Sequence, residues 1–394
     1  MSNTAQRLDV LLSPDLEALK ARSLYRLRRL IEGPQGPEIH IDGRRYLNFS
    51  SNDYLGLAGH PALRLAAGRA LDEHGTGSGA SHLITGHTRA HAALESDLAE
   101  FMQRPRALLF STGYMANLGI TSALLGRGDR VLADRLNHAS LLDAGLLSGA
   151  RLTRYPHAQT GGTQWRSIQP TGRTLVMTDG VFSMDGDIAP LPDLAQACEA
   201  AGAFLMVDDA HGFGVLGEHG RGSLEHFSLG MQEVPIVMAT LGKALGSFGA
   251  VVAGSETLVE TLIQHARTYI YTTAMPACLA EASRAALKLV QTEVWRREHL
   301  GRLIQQFRAG ARQLGLPMLD SMTAIQPLLL GTAELAVKVS EQLRDHGMLV
   351  VAIRPPTVPT GSARLRITLS AAHNEAQIDR LLEALSKVMN QVSH

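Results

Sequence analysis

The sequence predicts an α/β protein with a mostly parallel central sheet, followed by a smaller α+β domain at its C-terminal end. Two observations lead to this fold class. From about Ala58 onward, helical patterns alternate with short apolar runs, as in a parallel sheet wrapped by helices. After about Met275 the sequence changes to long charged amphipathic helices with a few separate strand-like runs. A chain of 394 residues is long enough for two or three domains.

The N-terminal segment predicts a helix and a hairpin. Leucines recur at helical spacing among arginines between about Pro14 and Ile31, which indicates an amphipathic helix. Two strand-like segments, 38–41 and 45–49, then flank Asp42-Gly43. That dipeptide between alternating apolar residues is a strong signal for a tight hairpin.

Short apolar runs mark the strands of the predicted central sheet. Runs of four or five apolar residues are typical of parallel strands that are buried on both faces. They are Ala107–Phe110, Arg130–Ala133, Thr174–Met177, Ala203–Val207, Pro235–Ala239 and Ala250–Ala253.

The last third of the chain predicts a separate α+β domain. Its strand-like runs are 324–328, 349–352 and 364–369, and the change in pattern comes near Ala274-Met275-Pro276. We therefore expect an N-terminal helix and hairpin segment over residues 1–57, a large α/β domain over 58–275 and a C-terminal α+β domain over 276–394.

Composition excludes several classes of function. Lysine plus arginine and aspartate plus glutamate number 37 each, so no net charge favours nucleic acid or an anionic membrane. Cys198 and Cys278 are the two cysteines, which argues against a disulfide framework and indicates a reducing cytoplasm. The first residues have no signal-peptide pattern, and no run of about 18 apolar residues occurs. These features favour a cytoplasmic enzyme with small-molecule substrates.

Two short segments carry the candidate chemistry. Asp208 and His211 follow the run Ala203–Val207, so Asp208 should lie at the carboxyl end of a parallel strand, where open α/β sheets bind ligands. Lys243 follows the run Pro235–Ala239 and lies between glycines, in a loop where the backbone can approach a ligand closely. Pyridoxal phosphate (PLP) requires a lysine for its Schiff base and an acid that keeps its pyridine nitrogen protonated. Lys243 and Asp208 together therefore predict PLP as the cofactor.

Two further strand ends carry candidate cofactor contacts. The segment Ser111–Asn117 follows a strand and opens a helical pattern, which places the amides of Gly113 and Tyr114 at a helix N-terminus that favours phosphate. Tyr114 could instead be a core residue. His138 lies just past another strand and could stack on a pyridine ring and pass a proton, although a helix-start or core histidine is the simpler interpretation.

Other motifs leave alternatives open. Gly212–Gly217 matches G-x-G-x-x-G, but four residues separate it from the strand and a poor helix start follows, so a dinucleotide site is disfavoured. Arg364 and Arg366 alternate on one strand and should share a face. They are either surface arginines or a clamp for a substrate carboxylate.

Taken in order, these residues resemble the α-oxoamine synthases, which are PLP enzymes of the aspartate-aminotransferase-like fold (fold type I). The resemblance extends over nearly the whole chain. It rests on the segments 48–57, 75–79, 179–186 and 208–211 and on the loop that carries Lys243.

The resemblance also implies roles for individual residues. The catalytic residues would be Lys243, His138 and Asp208. The cofactor would contact Gly113, Tyr114, His138, Ser183, Asp208, His211, Thr240, Lys243 and, from a partner subunit, Thr272 or Thr273, so the working unit would be a homodimer. The substrates would contact Arg26, Asn52, His138, Thr357 and Arg366, with Arg366 on the amino-acid carboxylate and Arg26 and Thr357 on the acyl side.

Within the family, the segments 324–328 and 353–359 favour the branch that condenses pimeloyl-thioester with L-alanine. Alternatives are another branch, such as glycine C-acetyltransferase or 5-aminolevulinate synthase, an aminotransferase, or, outside PLP chemistry, a nicotinamide oxidoreductase. Ala80, His82 and Asn137 depart from residues common among relatives, which could alter the thioester entrance.

Overall fold

A computed structural model describes residues 4–166 and 172–392; the outermost residues of the first and last predicted domains lie outside this range. The chain forms two compact units. The large unit comprises residues 52–183 and 187–299, and the small unit comprises residues up to 51, 184–186 and 300 onward. The predicted boundaries at residues 57/58 and 275/276 do not coincide with the borders of these units. One reason is that the helix after Met275 packs on helices of the large unit, which periodicity alone does not indicate.

The N-terminal helix differs from its prediction. Helix α1 (Thr4–Ala21) begins well before Pro14 and ends ten residues before Ile31. Ser23 has a left-handed φ of 55°, and the guanidinium of Arg354 donates to the carbonyls of Ser23 and Tyr25. The leucine spacing continues beyond Ala21, but these contacts hold the chain out of a helix.

The hairpin prediction is confirmed. Strands β1 (Glu38–Ile41) and β2 (Arg44–Asn48) pair antiparallel with Ile41 opposite Arg44. The turn residues Asp42 and Gly43 both have positive φ, 52° and 72°, as a type I′ turn requires.

The large unit is built on a seven-stranded sheet, and the predicted fold class is confirmed. Each of the six predicted runs forms a strand, and Arg151–Tyr155 adds one strand at an edge. The strands are β3 (Arg106–Phe110), β4 (Arg130–Asp134), β5 (Arg151–Tyr155), β6 (Thr174–Asp179), β7 (Phe204–Asp208), β8 (Ile236–Thr240) and β9 (Ala250–Gly254). Their order is β3-β9-β8-β7-β6-β4-β5, and only β9 is antiparallel to its neighbours. The carboxyl ends of β3, β4, β6, β7 and β8 therefore share one edge.

Helices cover this sheet, and its strands are buried on both faces, as with Val176, Met206 and Val252. A π-helical turn spans His82–Gly86. The helices are α2 (Pro61–His74), α3 (Arg89–Phe101), α4 (Gly113–Leu124), α5 (Ala139–Leu147), α6 (Thr163–Arg166), α7 (Leu191–Ala201), α8 (Ser223–His226), α9 (Glu256–His265), α10 (Arg267–Ile270) and α11 (Ala277–Thr292).

The small unit has an α+β composition. Its strands β10 (Ile325–Gly331), β12 (Val351–Ile353) and β13 (Ala363–Thr368) form an antiparallel sheet in the order β10-β13-β12, and the short β11 (Met348–Leu349) extends the N-terminal hairpin. Its helices are α13 (Ala333–Asp345), α14 (Glu375–Val392) and most of α12 (Trp295–Gln313). No helix within residues 4–166 and 172–392 is long and apolar enough to cross a membrane.

Candidate active site

Lys243 lies in a tight loop between β8 and β9. The amide of Leu241 donates to the carbonyl of Gly249 (2.9 Å), and the amide of Gly246 donates to the carbonyl of Lys243 (2.8 Å). Gly246 has a φ of +62°, and a Cβ added there would lie 2.3 Å from the backbone nitrogen of Ala58. Glycine is therefore required at this position, and the loop holds the lysine at the shared edge of the sheet.

A series of hydrogen bonds leads away from the Lys243 amine. Lys243 Nζ lies 2.9 Å from His211 Nε2, and His211 Nδ1 lies 2.5 Å from the hydroxyl of Tyr54. The Tyr54 hydroxyl donates in turn to Asn52 Oδ1 (3.3 Å). Both ring nitrogens of His211 are therefore within hydrogen-bond distance of a polar group, Nδ1 of the Tyr54 hydroxyl and Nε2 of the Lys243 amine. The series thus orients the His211 ring and connects Asn52 to the amine.

Asp208 ends β7 as a buried carboxylate, as predicted. Its Oδ2 accepts from the side-chain amide of Asn117 (2.8 Å), and its Oδ1 accepts from the amide of Ala210 (3.1 Å). The Asn117 amide also donates to Ser140 Oγ (2.8 Å). These contacts hold the carboxylate in one orientation at the edge of the sheet where the carboxyl ends of the parallel strands meet.

His138 lies close to both charged groups. Its amide donates to Asp179 Oδ2 (2.7 Å), and its Nδ1 accepts from the amide of Ser140, so it caps helix α5. Burial lowers the pKa of His138, and Lys243 lowers it further, while Asp208 acts in the opposite direction. The ring is therefore neutral near pH 7. His138 thus also has the role at a helix start that the simpler interpretation predicted.

Burial and the nearby charge of Asp208 also raise the pKa of Asp179, while the amide of His138 and the charge of Lys243 oppose that rise. The charges of Asp208 and Lys243 therefore act on both Asp179 and His138. Asp208 and Lys243 thus lie near the same two residues at this edge of the sheet.

The predicted helix start at Gly113 is confirmed. Thr112 is the N-cap of α4, and its hydroxyl accepts from the amide of Met115 (3.2 Å). A Cβ on Gly113 would lie 2.8 Å from Thr240 Cγ2. In the described part of the chain, Thr240 Oγ1 is buried and has no hydrogen-bond partner. Tyr114 is exposed rather than core, and its hydroxyl donates to Asp143.

Ser183 and Thr273 lie in loops of the large unit. The Ser183 loop is closed by the amide of Phe182, which donates to the carbonyl of Asp187 (2.9 Å). The Thr273 segment forms a β-bridge with Ser81, and the carbonyl of Thr273 accepts from Ser111 Oγ (3.4 Å).

The other substrate candidates belong to the small unit. Arg366 is buried on β13 and donates to Thr368 Oγ1 (3.3 Å), while Arg364 forms an ion pair with Asp185 (2.6 Å). Neither is a surface arginine. Arg26 and Thr357 line one cavity of about 470 Å³ within this unit.

The three positions expected to depart from relatives, Asn137, His82 and Ala80, each make a contact in the large unit. Asn137 bridges β4 and β6, since its amide donates to the carbonyl of Met177 (2.8 Å) and its oxygen accepts from the amide of Asp179 (3.1 Å). The ring of His82 stacks on Tyr269 with centroids 4.9 Å apart. The carbonyl of Ala80 accepts from the amide of Ala274 (3.0 Å).

Sequence reasoning assigned no role to three residues of this region. Tyr54 lies inside a segment that carries the resemblance, and Asn117 ends the Ser111–Asn117 segment that was examined for phosphate contact, so both segments could have drawn attention to them. His157 had no such signal. It joins Asp134 (3.1 Å) to Asp187 (3.0 Å) and so connects the end of β4 to the base of the Ser183 loop.

Comparison with known proteins agrees with this geometry. The model of the family "Aminotransferase class I and II" matches residues 44–385. The chain belongs to this family. The Gly212–Gly217 motif is followed by turns and the four-residue helix α8, which is not the strand, tight turn and helix that a dinucleotide site requires.

Among curated relatives, the 8-amino-7-oxononanoate synthase of Thioalkalivibrio sulfidiphilus (strain HL-EbGR7) is 62% identical over 380 residues, covering 96% of this chain and 97% of that protein. The 8-amino-7-oxononanoate synthase of Nitrosococcus oceani is 63% identical over 376 residues, covering 95% of this chain and all of that protein. The predicted resemblance is therefore confirmed by relatives that are named 8-amino-7-oxononanoate synthase.

Solved structures of two enzymes share the fold. Serine palmitoyltransferase from S. paucimobilis with a bound PLP-myriocin aldimine has a TM-score of 0.93 at 28% identity, with full coverage of both chains. The 8-amino-7-oxononanoate synthase from Francisella tularensis has a TM-score of 0.77 at 35% identity and covers 89% of this chain and 99% of its own.

Proposed function

We propose that this chain is a PLP-dependent acyltransferase that condenses pimeloyl-thioester with L-alanine. The products are 8-amino-7-oxononanoate, CO2 and the free carrier thiol, and the reaction belongs to biotin biosynthesis. The observation that carries the proposal is the identity of 62–63%, over nearly the whole chain, to 8-amino-7-oxononanoate synthases. The two reduced, buried cysteines support a cytoplasmic location.

The cofactor is pyridoxal phosphate, and the residues of the large unit fit it. Lys243 supplies the amine and Asp208 the carboxylate for the pyridine nitrogen. The unpartnered Thr240 hydroxyl beside the N-terminus of α4 suits a phosphate, and Gly113 keeps that space open. The backbone amide of Tyr114 would contact the same phosphate. When bound, PLP supplies an electron sink for the pair of electrons left at the alanine Cα.

The remaining cofactor contacts are assigned by position. His138, Asp208 and Lys243 lie at the same edge of the sheet, and His138 would stack on the cofactor ring as a neutral imidazole. Ser183 and His211 would face the ring oxygen from two different loops. Asp208, held by Asn117, would stabilise a protonated pyridine nitrogen because its carboxylate is fixed in a buried position.

Lys243 would move the proton of the reaction. As a neutral amine it would take the proton from the alanine Cα and later return one to the product. His211 Nε2, 2.9 Å from Lys243 Nζ, can accept a hydrogen bond from the protonated amine. The Tyr54 hydroxyl, 2.5 Å from His211 Nδ1, orients the ring for this contact. His138 would polarise the thioester carbonyl during acyl transfer.

The substrate contacts follow from charge and exposure. Arg366 would clamp the alanine carboxylate, because a buried guanidinium suits bidentate binding. Arg26 and Thr357 would contact the acyl chain from their cavity in the small unit. Asn52 would lie near the reacting groups, since it ends the series of hydrogen bonds from Lys243.

The working unit would be a homodimer with shared sites. The large unit exposes several large apolar side chains, as expected of a surface that a second copy covers. They include Leu83, Ile84, Phe248 and Tyr271. Thr273 of a second copy would contribute to the phosphate site. Mixing Lys243→Ala with Thr273→Ala protomers should then restore activity, because one site of each mixed dimer has neither change. No recovery in verified mixed dimers would contradict shared sites.

A substrate matrix tests the reaction. Pimeloyl-, acetyl- and succinyl-CoA are each combined with alanine, glycine and serine, and free thiol is followed. We expect the highest kcat/KM with pimeloyl-CoA and alanine. A best rate with acetyl-CoA and glycine would reassign the chain to glycine C-acetyltransferase, and one with succinyl-CoA and glycine to 5-aminolevulinate synthase.

A labelling experiment tests the cofactor site separately. Borohydride reduction of the yellow holoenzyme should leave a pyridoxyl group on Lys243 and none on the exposed Lys288. Lys288→Ala should retain the yellow colour and thiol release, whereas Lys243→Ala should lose turnover. A label on any other lysine would overturn the assignment of Lys243.

A further inference from the structure

His91 connects two segments of the large unit that are far apart in the sequence. It lies in the first turn of α3 and is fully buried. Its Nδ1 accepts from the amide of Thr88 (3.0 Å), and its Nε2 lies 2.7 Å from the carbonyl oxygen of Met275. Because a backbone amide can only donate, neutral His91 carries its proton on Nε2 and donates it to Met275. Burial lowers the pKa of His91, although the Met275 carbonyl opposes this, so the ring is neutral near pH 7.

The carbonyl of Met275 depends on this side chain for its hydrogen bond. Met275 is buried and lies one residue before Pro276, the N-cap of α11, so its carbonyl is outside the hydrogen bonds of that helix. A buried carbonyl without a partner is unfavourable. The contact with His91 therefore fixes the position of the chain at Met275.

The position of Met275 determines that of Thr273, two residues earlier. Ala274 between them is buried, and its amide donates to the carbonyl of Ala80 (3.0 Å). A Cβ added to Gly86 would lie 2.9 Å from Ala274 Cβ, so there is little free space on that side of the segment. Thr273 itself is exposed, whereas the two residues after it are buried. The buried residues thus hold this segment in place, and Thr273 lies at the surface.

Thr273 lies near exposed apolar residues that we expect a second copy of the chain to cover. Tyr271, two residues before it, is exposed. Leu83 and Ile84 are exposed on the π-helical turn that follows Ser81, and Ser81 forms a β-bridge with Thr273. A second copy that covers these residues would therefore also meet Thr273.

We propose that His91 is a positioning residue for the phosphate site of the partner subunit. It acts through the carbonyl of Met275 on Thr273 of its own chain, and Thr273 contacts the cofactor of the partner. The inference rests on the proposed function, in which two copies share their sites. His91 itself has no contact with the cofactor in this arrangement, so its effect must disappear when Thr273 has no hydroxyl.

Two variants separate the two hydrogen bonds of His91. In His91→Gln the side-chain amide can replace Nε2 and still donate to Met275, whereas the shorter side chain of His91→Asn can replace Nδ1 and keep the contact with Thr88. PLP is titrated into each full-length dimer, and its affinity is read from the visible band of the lysine-bound cofactor. We expect His91→Asn to bind PLP about tenfold more weakly, because one hydrogen bond to a charged group is lost, and His91→Gln to bind as the wild type does. Equal PLP affinities of the two variants would overturn the proposal.

A double variant tests the route through Thr273. Thr273→Ala should itself weaken PLP binding about tenfold, and adding His91→Asn should cause no further loss, because residues that act through one contact are not additive. A second loss of similar size in the double variant would show that His91 acts by another route. An unchanged PLP affinity of Thr273→Ala would refute the phosphate contact in the proposed function, and this inference with it. If His91→Asn does not fold, His91→Ser replaces it with the same expectations.

Mixed dimers show which subunit His91 serves. In a dimer of His91→Asn with Lys243→Ala, one site has a lysine, and its Thr273 comes from the protomer with an intact His91. The visible band of lysine-bound PLP reports that site alone, and its PLP affinity should return to the wild-type value. Affinity as weak as in the His91→Asn homodimer would show that His91 acts on its own chain's site and would overturn the proposal. The dimer of Thr273→Ala with Lys243→Ala should recover likewise; if it does not, shared sites are wrong and the inference falls with them.

Discussion

We expect that protonated His157 stabilises the large unit by pairing with two carboxylates, and replacing His157 tests this directly. Its ring lies between the buried Asp134 and the half-buried Asp187, and it packs edge to face with Phe182 with centroids 4.4 Å apart. Burial alone would lower the pKa of His157, but the two carboxylates outweigh burial and raise it to about 10. His157→Gln removes the charge and leaves both carboxylates without their shared cation.

The size of the effect follows from the pKa. A rise from 6.5 to about 10 corresponds to at most about 5 kcal/mol, at about 1.36 kcal/mol per pH unit. Since 29% of the side chain is exposed, solvent screening reduces this to about 2–3 kcal/mol. The folded protein holds the proton more tightly than the unfolded chain. Protonated His157 therefore makes its full contribution to the free energy of unfolding below pH about 6.5, and this contribution is lost as the pH rises to about 10.

The assay compares urea unfolding of the holoenzyme at pH 6 and pH 9.5, at one protein concentration. Tryptophan emission is a suitable signal because Trp165 packs on Tyr155, close to His157 in the chain. The variant should be about 2–3 kcal/mol less stable at pH 6 and nearly equal to the wild type at pH 9.5. His265→Gln, at an exposed histidine, is the control and should match the wild type at both values. A difference that is the same at both pH values would refute the reasoning.

Three further variants test the site and the small unit. Tyr54→Phe removes the hydroxyl that orients His211 and should lower kcat about tenfold and shift its pH profile while KM for alanine changes little; an unchanged profile would contradict the series of hydrogen bonds. Asp208→Asn should keep the cofactor bound but lower kcat about a hundredfold or more, and near-normal turnover would remove Asp208 from the pyridine nitrogen. Arg364→Gln leaves Asp185 without its ion pair and should lower the free energy of unfolding by about 3–5 kcal/mol in urea titrations. Adding Asp185→Asn should restore part of this loss. Wild-type stability of the single variant would show that the ion pair is dispensable.

Local patterns predicted most of the large unit. Six apolar runs became strands because parallel strands buried on both faces require continuous apolar residues. The turn at Asp42-Gly43 and the helix start at Gly113 were predictable because turn and cap preferences depend on neighbouring residues. The extent of α1 was not predictable, because Arg354, more than 300 residues away, holds the chain after Ser23.

The candidate site divides in the same way. Asp208 and Lys243 could be found from the sequence because each directly follows a strand, and strand ends of a parallel sheet meet at one edge. Tyr54 meets His211 across 157 positions, and Asn117 meets Asp208 across 91. Only the tertiary structure decided these partners, because hydrogen bonding depends on which distant segments the packed core brings together.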